Sequence, residues 1–261
     1  MSVINVAVCG CLGRMGAAVC ETVLANAGEM KLCGLADAKA GAGEAYGLKV
    51  GSVISRAAFG GAADVMVDFT HPSCVFENAR TALNEGISCV IGTTGLSGPQ
   101  LDELEKLTTR NNLFALVAPN FAIGAVLMMK FSAIASKFMK RAEIIEMHHD
   151  KKADAPSGTS LLTAKMMAAG GAGSASISGE KILVPGARGG DSGGVNIHSV
   201  RLPGYLAHQQ VIFGDVGQVL TIRHDSMSRD SFMPGVALAI RESAGRKGFY
   251  FGLEKIMDLG F

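Results

Sequence analysis

At 261 residues, with 48% hydrophobic and 18% charged side chains, the chain is long enough for one large or two modest globular domains and too apolar to be disordered. Its formal net charge of +1 gives no bulk attraction to nucleic acid or to an anionic membrane, so neither partner is expected. Cys9, Cys11, Cys20, Cys33, Cys74 and Cys89 form no CxxC pair and fall mostly in apolar runs, which predicts buried reduced thiols, a cytoplasmic setting and no metal site.

Val3 to Cys9 reads as a short β-branched strand that passes directly into glycines, with no secretory signal before it. Gly10-Cys-Leu-Gly-Arg-Met-Gly16 and a helical stretch, Ala17 to Ala25, follow. Strand, glycine turn and helix come in the order of a dinucleotide-binding unit. Glycines let the backbone approach a pyrophosphate, and the helix N-terminus faces its charge. The spacing is GxxGxxG, a weak signal by itself. A second strand, Met30 to Ala36, ends at Asp37, about twenty residues past the glycines, where an acid binds the cofactor ribose.

Gly41 to Gly61 is poorly patterned and reads as loop with at most one short element. Asp64 to Thr70 is a third strand with a polar tip, Phe69 and Thr70; His71-Pro72 opens a helix through Leu83. The strand from Ser88 ends in Gly92-Thr93-Thr94-Gly95, and Leu96 to Arg110 is an amphipathic helix. Leu113 to Ala118 is the fifth strand, closing on Pro119-Asn120-Phe121, a break by which Leu113 to Met129 reads better as strand, loop and helix than as a membrane span. Alternating strands and helices predict an α/β, Rossmann-like parallel sheet with its polar tips on one carboxyl edge.

After Phe121 the pattern changes. A helix, Gly124 to Met139, leads into the strand Ala142 to Met147, and strands Asn196–Leu202, His208–Phe213 and Val219–His224 follow with no helix between them. This predicts a smaller α+β domain with a mixed sheet. The domains are then 1–121, with 232–261 returning to it, and 122–231. Gly170 to Gly173 and Gly186 to Gly194 read as mobile loops.

Between the first strand of that domain and a helix from Leu161 to Ala169 lies the densest polar stretch, Glu146-Met-His-His-Asp-Lys-Lys-Ala-Asp-Ala-Pro-Ser-Gly-Thr-Ser160. The histidines stand at a strand end and Ser-Gly-Thr at a helix start, whose backbone N–H groups take anions such as carboxylates. A solvated loop with Ser157 or Thr159 as a simple cap is the bland alternative; the crowding of ionisable residues argues against it.

These blocks together resemble the 4-hydroxy-tetrahydrodipicolinate reductase (dihydrodipicolinate reductase) family over nearly the whole chain. The resemblance rests on the glycine loop Gly10 to Gly16, Asp68-Phe-Thr70, Gly92-Thr-Thr-Gly95, Ala118-Pro-Asn-Phe121 and His148-His-x-x-Lys-x-Asp-x-Pro-Ser-Gly-Thr159. It continues through Ser199-Val-Arg-Leu-Pro-Gly204 and Thr221-Ile-Arg-His-Asp-Ser226. It implies that NADH or NADPH binds the first domain, around Gly10, Cys11, Leu12, Gly13, Arg14, Met15, Asp37, Gly92, Thr93, Thr94, Ala118, Pro119, Asn120 and Phe121. With them come the strand-tip residues Phe69 and Thr70. It implies a cyclic dicarboxylate substrate held by His149, Lys152, Gly158 and Thr159, and a homotetramer joined through the second domain's sheet. Ala122 stands where many members carry serine, and Ser160 where alanine is common.

The implied reaction reduces a conjugated cyclic imine and needs an acid near the ring. His148 or Lys152 suits that role. Fold analogy alone also permits a dehydrogenase acting on aspartate or an amino-acid semialdehyde, or a non-catalytic dinucleotide sensor. The Pro-Ser-Gly-Thr turn after paired histidines argues against the first; the intact His148 and Lys152 argue against the second.

Overall fold

The computed structural model describes residues 2–39, 41, 43–175 and 178–260. The chain divides into two compact units, Met1–Phe121 with Arg229–Phe261, and Ala122–Ser228.

The first unit begins with β1 (Ile4–Cys9), α1 (Arg14–Ala25) and β2 (Met30–Ala36). Two short strands follow, β3 (Glu44–Ala45) and β4 (Leu48–Gly51), in the stretch whose sequence carries no clear pattern. Then come β5 (Val65–Asp68), α2 (Val75–Asn84), β6 (Ser88–Ile91), α3 (Gly98–Arg110) and β7 (Phe114–Val117). α2 starts four residues later than its sequence predicts. His71 O accepts the N–H groups of Cys74 and Val75, so Pro72 lies in a turn ahead of the helix. α3 starts at Gly98 because Ser97 caps it, its N–H donating to Gln100 Oε1 at 2.9 Å with Pro99 in the first turn.

The second unit holds α4 (Ile123–Ala135), β8 (Arg141–His148), α5 (Gly158–Ala169), β9 (Gly190–Ser192), β10 (Val195–Arg201), β11 (Ala207–Asp215) and β12 (Gln218–Ser226). Its sheet runs β12-β11-β8-β10-β9, with β8 and β10 parallel and the other neighbours antiparallel. α4 ends at Ala135, four residues earlier than the spacing predicts; the chain continues to Met139 in a turn. β9 lies inside the glycine-rich stretch expected to be loop. Both helices contact the sheet, α4 against β11 and β12 and α5 against β8, β9 and β10.

The chain then returns to the first unit through a 3-10 turn at Arg229–Phe232, α6 (Met233–Gly245) and β13 (Gly248–Phe251). What reads as a short tail therefore supplies a strand. The eight-stranded order is β13-β7-β6-β5-β1-β2-β4-β3, parallel throughout except for the β3–β4 pair. β5, β6 and β7 are buried at nearly every residue, as strands with both faces covered must be. α2 contributes Val75, Ala79, Ala82 and Leu83 to that core, the i, i+4, i+7, i+8 spacing of one helical face. Strand order reverses beside β1, between β2 on one side and β5 on the other. The carboxyl ends at such a reversal form a crevice. Among the described residues no helix is long and apolar enough to cross a membrane.

Candidate active site

At the crevice the turn after β1 is built by its glycines. Gly10 has φ +81°, and a Cβ there would meet Phe69 O at 2.4 Å; a Cβ on Gly16 would meet Gly10 O at 2.0 Å. The first glycine thus permits the turn beside β5, and the third lets α1 pack against it. Gly13 N donates to Gly10 O at 2.9 Å and closes the loop. Asp37 follows β2 directly. Its Oδ2 accepts from Leu12 N at 3.0 Å and its Oδ1 from Lys39 N at 2.9 Å, so the acid is fixed against the glycine loop.

A cleft of about 480 Å³ opens here, walled by Gly10, Leu12, Gly13, Asp37, Phe69 and Thr70 among the residues singled out from sequence. Ala38, Lys39, Ser52, Ile54, His71, Cys74 and Asn78 complete its walls with Cys9 and Ala36. Cys11 lies buried beneath the glycine turn, and its thiol is pushed up by burial and by the nearby Asp37 charge. Arg14 and Met15 begin α1. The shape and donor set of this cleft fit a dinucleotide: room for a backbone approach, a helix N-terminus, and an acid beyond the second strand.

The tips of β5 and β6 are joined by a carboxylate, Asp68, which belongs to a motif carrying the resemblance but is not among the site residues expected from sequence. Asp68 is fully buried. Its Oδ1 accepts from Thr70 Oγ1 and Thr93 Oγ1, each at 2.7 Å, and from Thr70 N at 3.1 Å; its Oδ2 accepts from Asn78 Nδ2 at 2.8 Å. Thr70 N also donates to Thr93 Oγ1 at 2.7 Å. Thr70 and Thr93 are thus set by Asp68, while Gly92 lies over the Phe69 ring, where a Cβ would clash at 2.1 Å. Thr94 is exposed at the same tip. Of Ala118, Pro119, Asn120 and Phe121, the first and last are buried; Phe121 packs its ring 5.7 Å from that of Phe69.

In the second unit the polar stretch hangs from β8 and α5. Glu146, Ser199 and Gln209 are register partners on β8, β10 and β11, and His148 pairs with Arg201 and Ala207 one step along. Partners across a sheet share a face, and residues two apart on a strand share it too. Gln209 contacts α5, so this is the face the helices cover. Glu146 is fully buried there. It accepts from Arg201 Nη2 at 2.7 Å and Nη1 at 2.9 Å, and it is hydrogen-bonded to His148 Nδ1. Burial alone raises a carboxyl, but the bonds from His148, Arg201 and Ser199 outweigh it and hold Glu146 down at about 2. An ionised carboxylate only accepts, so His148 donates from Nδ1.

Lys152 donates to both oxygens of Asp154, at 2.7 and 2.8 Å. His149 Nδ1 and Arg201 Nε are buried without a hydrogen-bond partner among the described residues. Gly158 and Thr159 open α5, at the positive end of the helix dipole. Ser157 is the cap, accepting from Ser160 N at 3.2 Å. Ser160, notable in the sequence only for replacing a common alanine, bonds Ser157 Oγ at 2.8 Å and donates to Gln209 Oε1 at 2.7 Å. Gln209 Nε2 in turn donates to Thr163 Oγ1 at 2.9 Å. The start of α5 is thereby tied to the sheet beside Glu146. Glu146, Arg201 and Gln209 lie outside the residues chosen from sequence, although Glu146 opens the polar stretch and Arg201 belongs to a motif carrying the resemblance.

Two family models match the chain: "Dihydrodipicolinate reductase, N-terminus" over residues 4–121 and "Dihydrodipicolinate reductase, C-terminus" over 124–257. The 4-hydroxy-tetrahydrodipicolinate reductase of Desulfitobacterium hafniense (strain DSM 10664 / DCB-2) is 42% identical, covering 99% of this chain and all of its own. That of Syntrophomonas wolfei is 46% identical, over 97% of this chain and 98% of its own. The dipicolinate-bound dihydrodipicolinate reductase from Paenisporosarcina sp. TG-14 superposes with a TM-score of 0.89 at 41% identity, over 98% of this chain and 100% of that one. With matches that span both units at this identity, the chain belongs to the dihydrodipicolinate reductase family and is an oxidoreductase.

Proposed function

We propose that the chain reduces 4-hydroxy-tetrahydrodipicolinate, by way of dihydrodipicolinate, to tetrahydrodipicolinate in lysine and diaminopimelate biosynthesis. The observation that carries this reading is the bond between buried Glu146 and part-buried His148 at the end of β8, on the same short connection as Lys152 and the Gly158–Thr159 helix start. A carboxylate-held imidazole, an ammonium and a helix N-terminus form the set a cyclic dicarboxylate imine requires.

NADH or NADPH, when bound, supplies the hydride. Gly10 to Met15 take the pyrophosphate and Asp37 the adenosine ribose. Phe69, Thr70, Gly92 to Thr94 and Ala118 to Phe121 line the rest of the cofactor's path. Lys152 and the N–H groups of Gly158 and Thr159 bind the substrate carboxylates. His149 adds a ring nitrogen, which accounts for its buried Nδ1 without a partner. Loss of the substrate's hydroxyl as water would leave the conjugated imine; once reduced at a ring carbon it is an enamine, to which His148 or Lys152 would give a proton. Units 1–121 with 232–261 and 122–231 divide these tasks between cofactor and substrate.

We assign assembly as a homotetramer to the second unit's sheet, where Val216, Val219 and Leu220 around the β11–β12 turn are exposed. Nothing in the chain calls for nucleic acid, and its setting in this reading is the cytoplasm.

The test is a substrate-dependent fall in nicotinamide absorbance with purified protein, repeated with His148→Gln and Lys152→Ala. Turnover by the unmodified chain and losses of roughly a hundredfold in the variants are expected, the scale of a positioned acid. No turnover, or near-normal rates in both variants, overturns the assignment.

A further inference from the structure

The Arg201 guanidinium makes four hydrogen bonds, all within the second unit. Nη1 donates to Glu146 Oε2 at 2.9 Å and to Val200 O at 2.8 Å; Nη2 donates to Glu146 Oε1 at 2.7 Å and to Asp154 O at 2.8 Å. A guanidinium has five donors, so only Nε–H remains, and it is buried without a partner among the described residues. Arg201 therefore has no fork left for a substrate carboxylate. What it holds is protein: the carboxylate behind His148 and the backbone of the loop that carries Lys152.

We propose that Arg201 is the positioning residue of this site, one side chain fixing both groups in reach of the substrate. The inference rests on the reductase reading for its kinetic part only. At one end the bidentate bond orients Glu146, and Glu146 as acceptor fixes the His148 proton on Nδ1 and leaves Nε2 as the ring's other working nitrogen. At the other end the bond to Asp154 O pins the loop two residues beyond Lys152. The register makes this possible: Arg201 on β10 stands beside His148 on β8, and Leu202 N donates to His148 O at 3.1 Å, so the two strand ends are held together. Lysine at position 201 keeps the charge but cannot make two parallel bonds to Glu146 and reach Asp154 O as well. The groups facing His148 in this arrangement are Glu146 on its own strand and Arg201 on β10. On β11 Ala207 stands opposite, and the loop adds Asp154 through its carbonyl.

The two attachments predict different kinetic signatures. Glu146→Gln disturbs only the histidine end: kcat falls about tenfold or more while KM for the cyclic dicarboxylate stays within about twofold. Arg201→Lys releases both ends, lowering kcat by a similar factor and raising KM about fivefold or more. Nitrogen-15 spectra of histidine-labelled full-length protein give a readout that needs no turnover. The neutral His148 ring, identified as the signal missing from His148→Gln, is expected to carry its proton on Nδ1. An Nε2–H tautomer in the unmodified protein overturns the proposal, as does an Arg201→Lys variant whose KM is unchanged. Should the unmodified chain not reduce the substrate at all, the reductase reading falls and the tautomer still decides the positioning role. That spectrum needs only the unmodified chain and His148→Gln for the signal's identity, so an Arg201→Lys or Glu146→Gln variant that fails to fold does not remove the test.

Discussion

Lys152 gives its ammonium to both oxygens of Asp154, and the two ends of this pair differ in exposure: the lysine side chain is 21% exposed, the aspartate 63%. The hydrogen bond from Lys152 holds the Asp154 carboxyl below its usual range. Such an exposed pair is worth about 0–1 kcal/mol, so under the proposed function a substrate carboxylate would replace Asp154 on the lysine at little cost. Asp154→Asn is expected to lower KM for the dicarboxylate about twofold to fivefold with kcat little changed. Steady-state kinetics at constant salt checks this, and a KM that rises contradicts the competition.

Asp68 is a buried carboxyl group with four donors around it, and removing it strands Thr70, Thr93 and Asn78 together. Asp68→Ala is expected to destabilise the fold by about 2–4 kcal/mol, the scale of a broken buried charged network. Thr93→Val, which removes one hydroxyl, is expected to cost about 1 kcal/mol and to weaken NAD(P)H binding more than dicarboxylate binding. Urea unfolding and separate ligand titrations measure both; equal losses for the two ligands would count against a role at the cofactor cleft.

Glu146 links the site to acid stability. Its folded value of about 2 lies below the ordinary 4.5, so the fold favours the charged form. That contribution is complete above about pH 4.5 and drains away as pH falls through about 2. Unfolding midpoints in urea are expected to drop between about pH 5 and pH 3, and Glu146→Gln to show a shallower drop over the same window. Parallel curves for the two proteins would mean that other carboxylates carry the acid sensitivity.

Under the proposed function, cofactor choice turns on Asp37. Its two oxygens are set by Leu12 N and Lys39 N, which holds the acid at the cleft wall where the ribose hydroxyls belong. On that reading an acid at position 37 would repel the extra phosphate of NADPH, and Ala38 offers no guanidinium to clamp it; Lys39 and Arg14 would supply only shared positive charge. Both cofactors are expected to work, with NADH equal or better, and added salt is expected to weaken NADPH more. A tenfold preference for NADPH, about 1.4 kcal/mol, would contradict this role for Asp37.

The sequence carried the fold where an element had length or punctuation. The glycine turn after β1, the long helices and the His-His to Ser-Gly-Thr block were all legible because local spacing defines them. β3, β4, β9 and β13 are two to four residues long and lie at or near sheet edges, too short to show a period, and their place comes from the neighbours they pair with. The Asp68 cluster and the Glu146–Arg201, Ser160–Gln209 pairs were hidden for a related reason. Arg201 lies 55 positions from Glu146 and Gln209 lies 49 from Ser160, so only the order and register of β8, β10 and β11 bring them together. Ser157 and Thr159 read alike as caps; the hydrogen bond to Ser160 N separates them.

The central claim is that a nicotinamide hydride reaches a ring carbon of the substrate while the protein delivers a proton. Reaction with NADH deuterated at the transferable C4 position, quenched and weighed by mass spectrometry, tests it most directly. Tetrahydrodipicolinate carrying one deuterium bound to carbon is expected, formed at a rate that collapses in His148→Gln or Lys152→Ala. A reduced product without that deuterium, or cofactor oxidation with no reduced product, would contradict it.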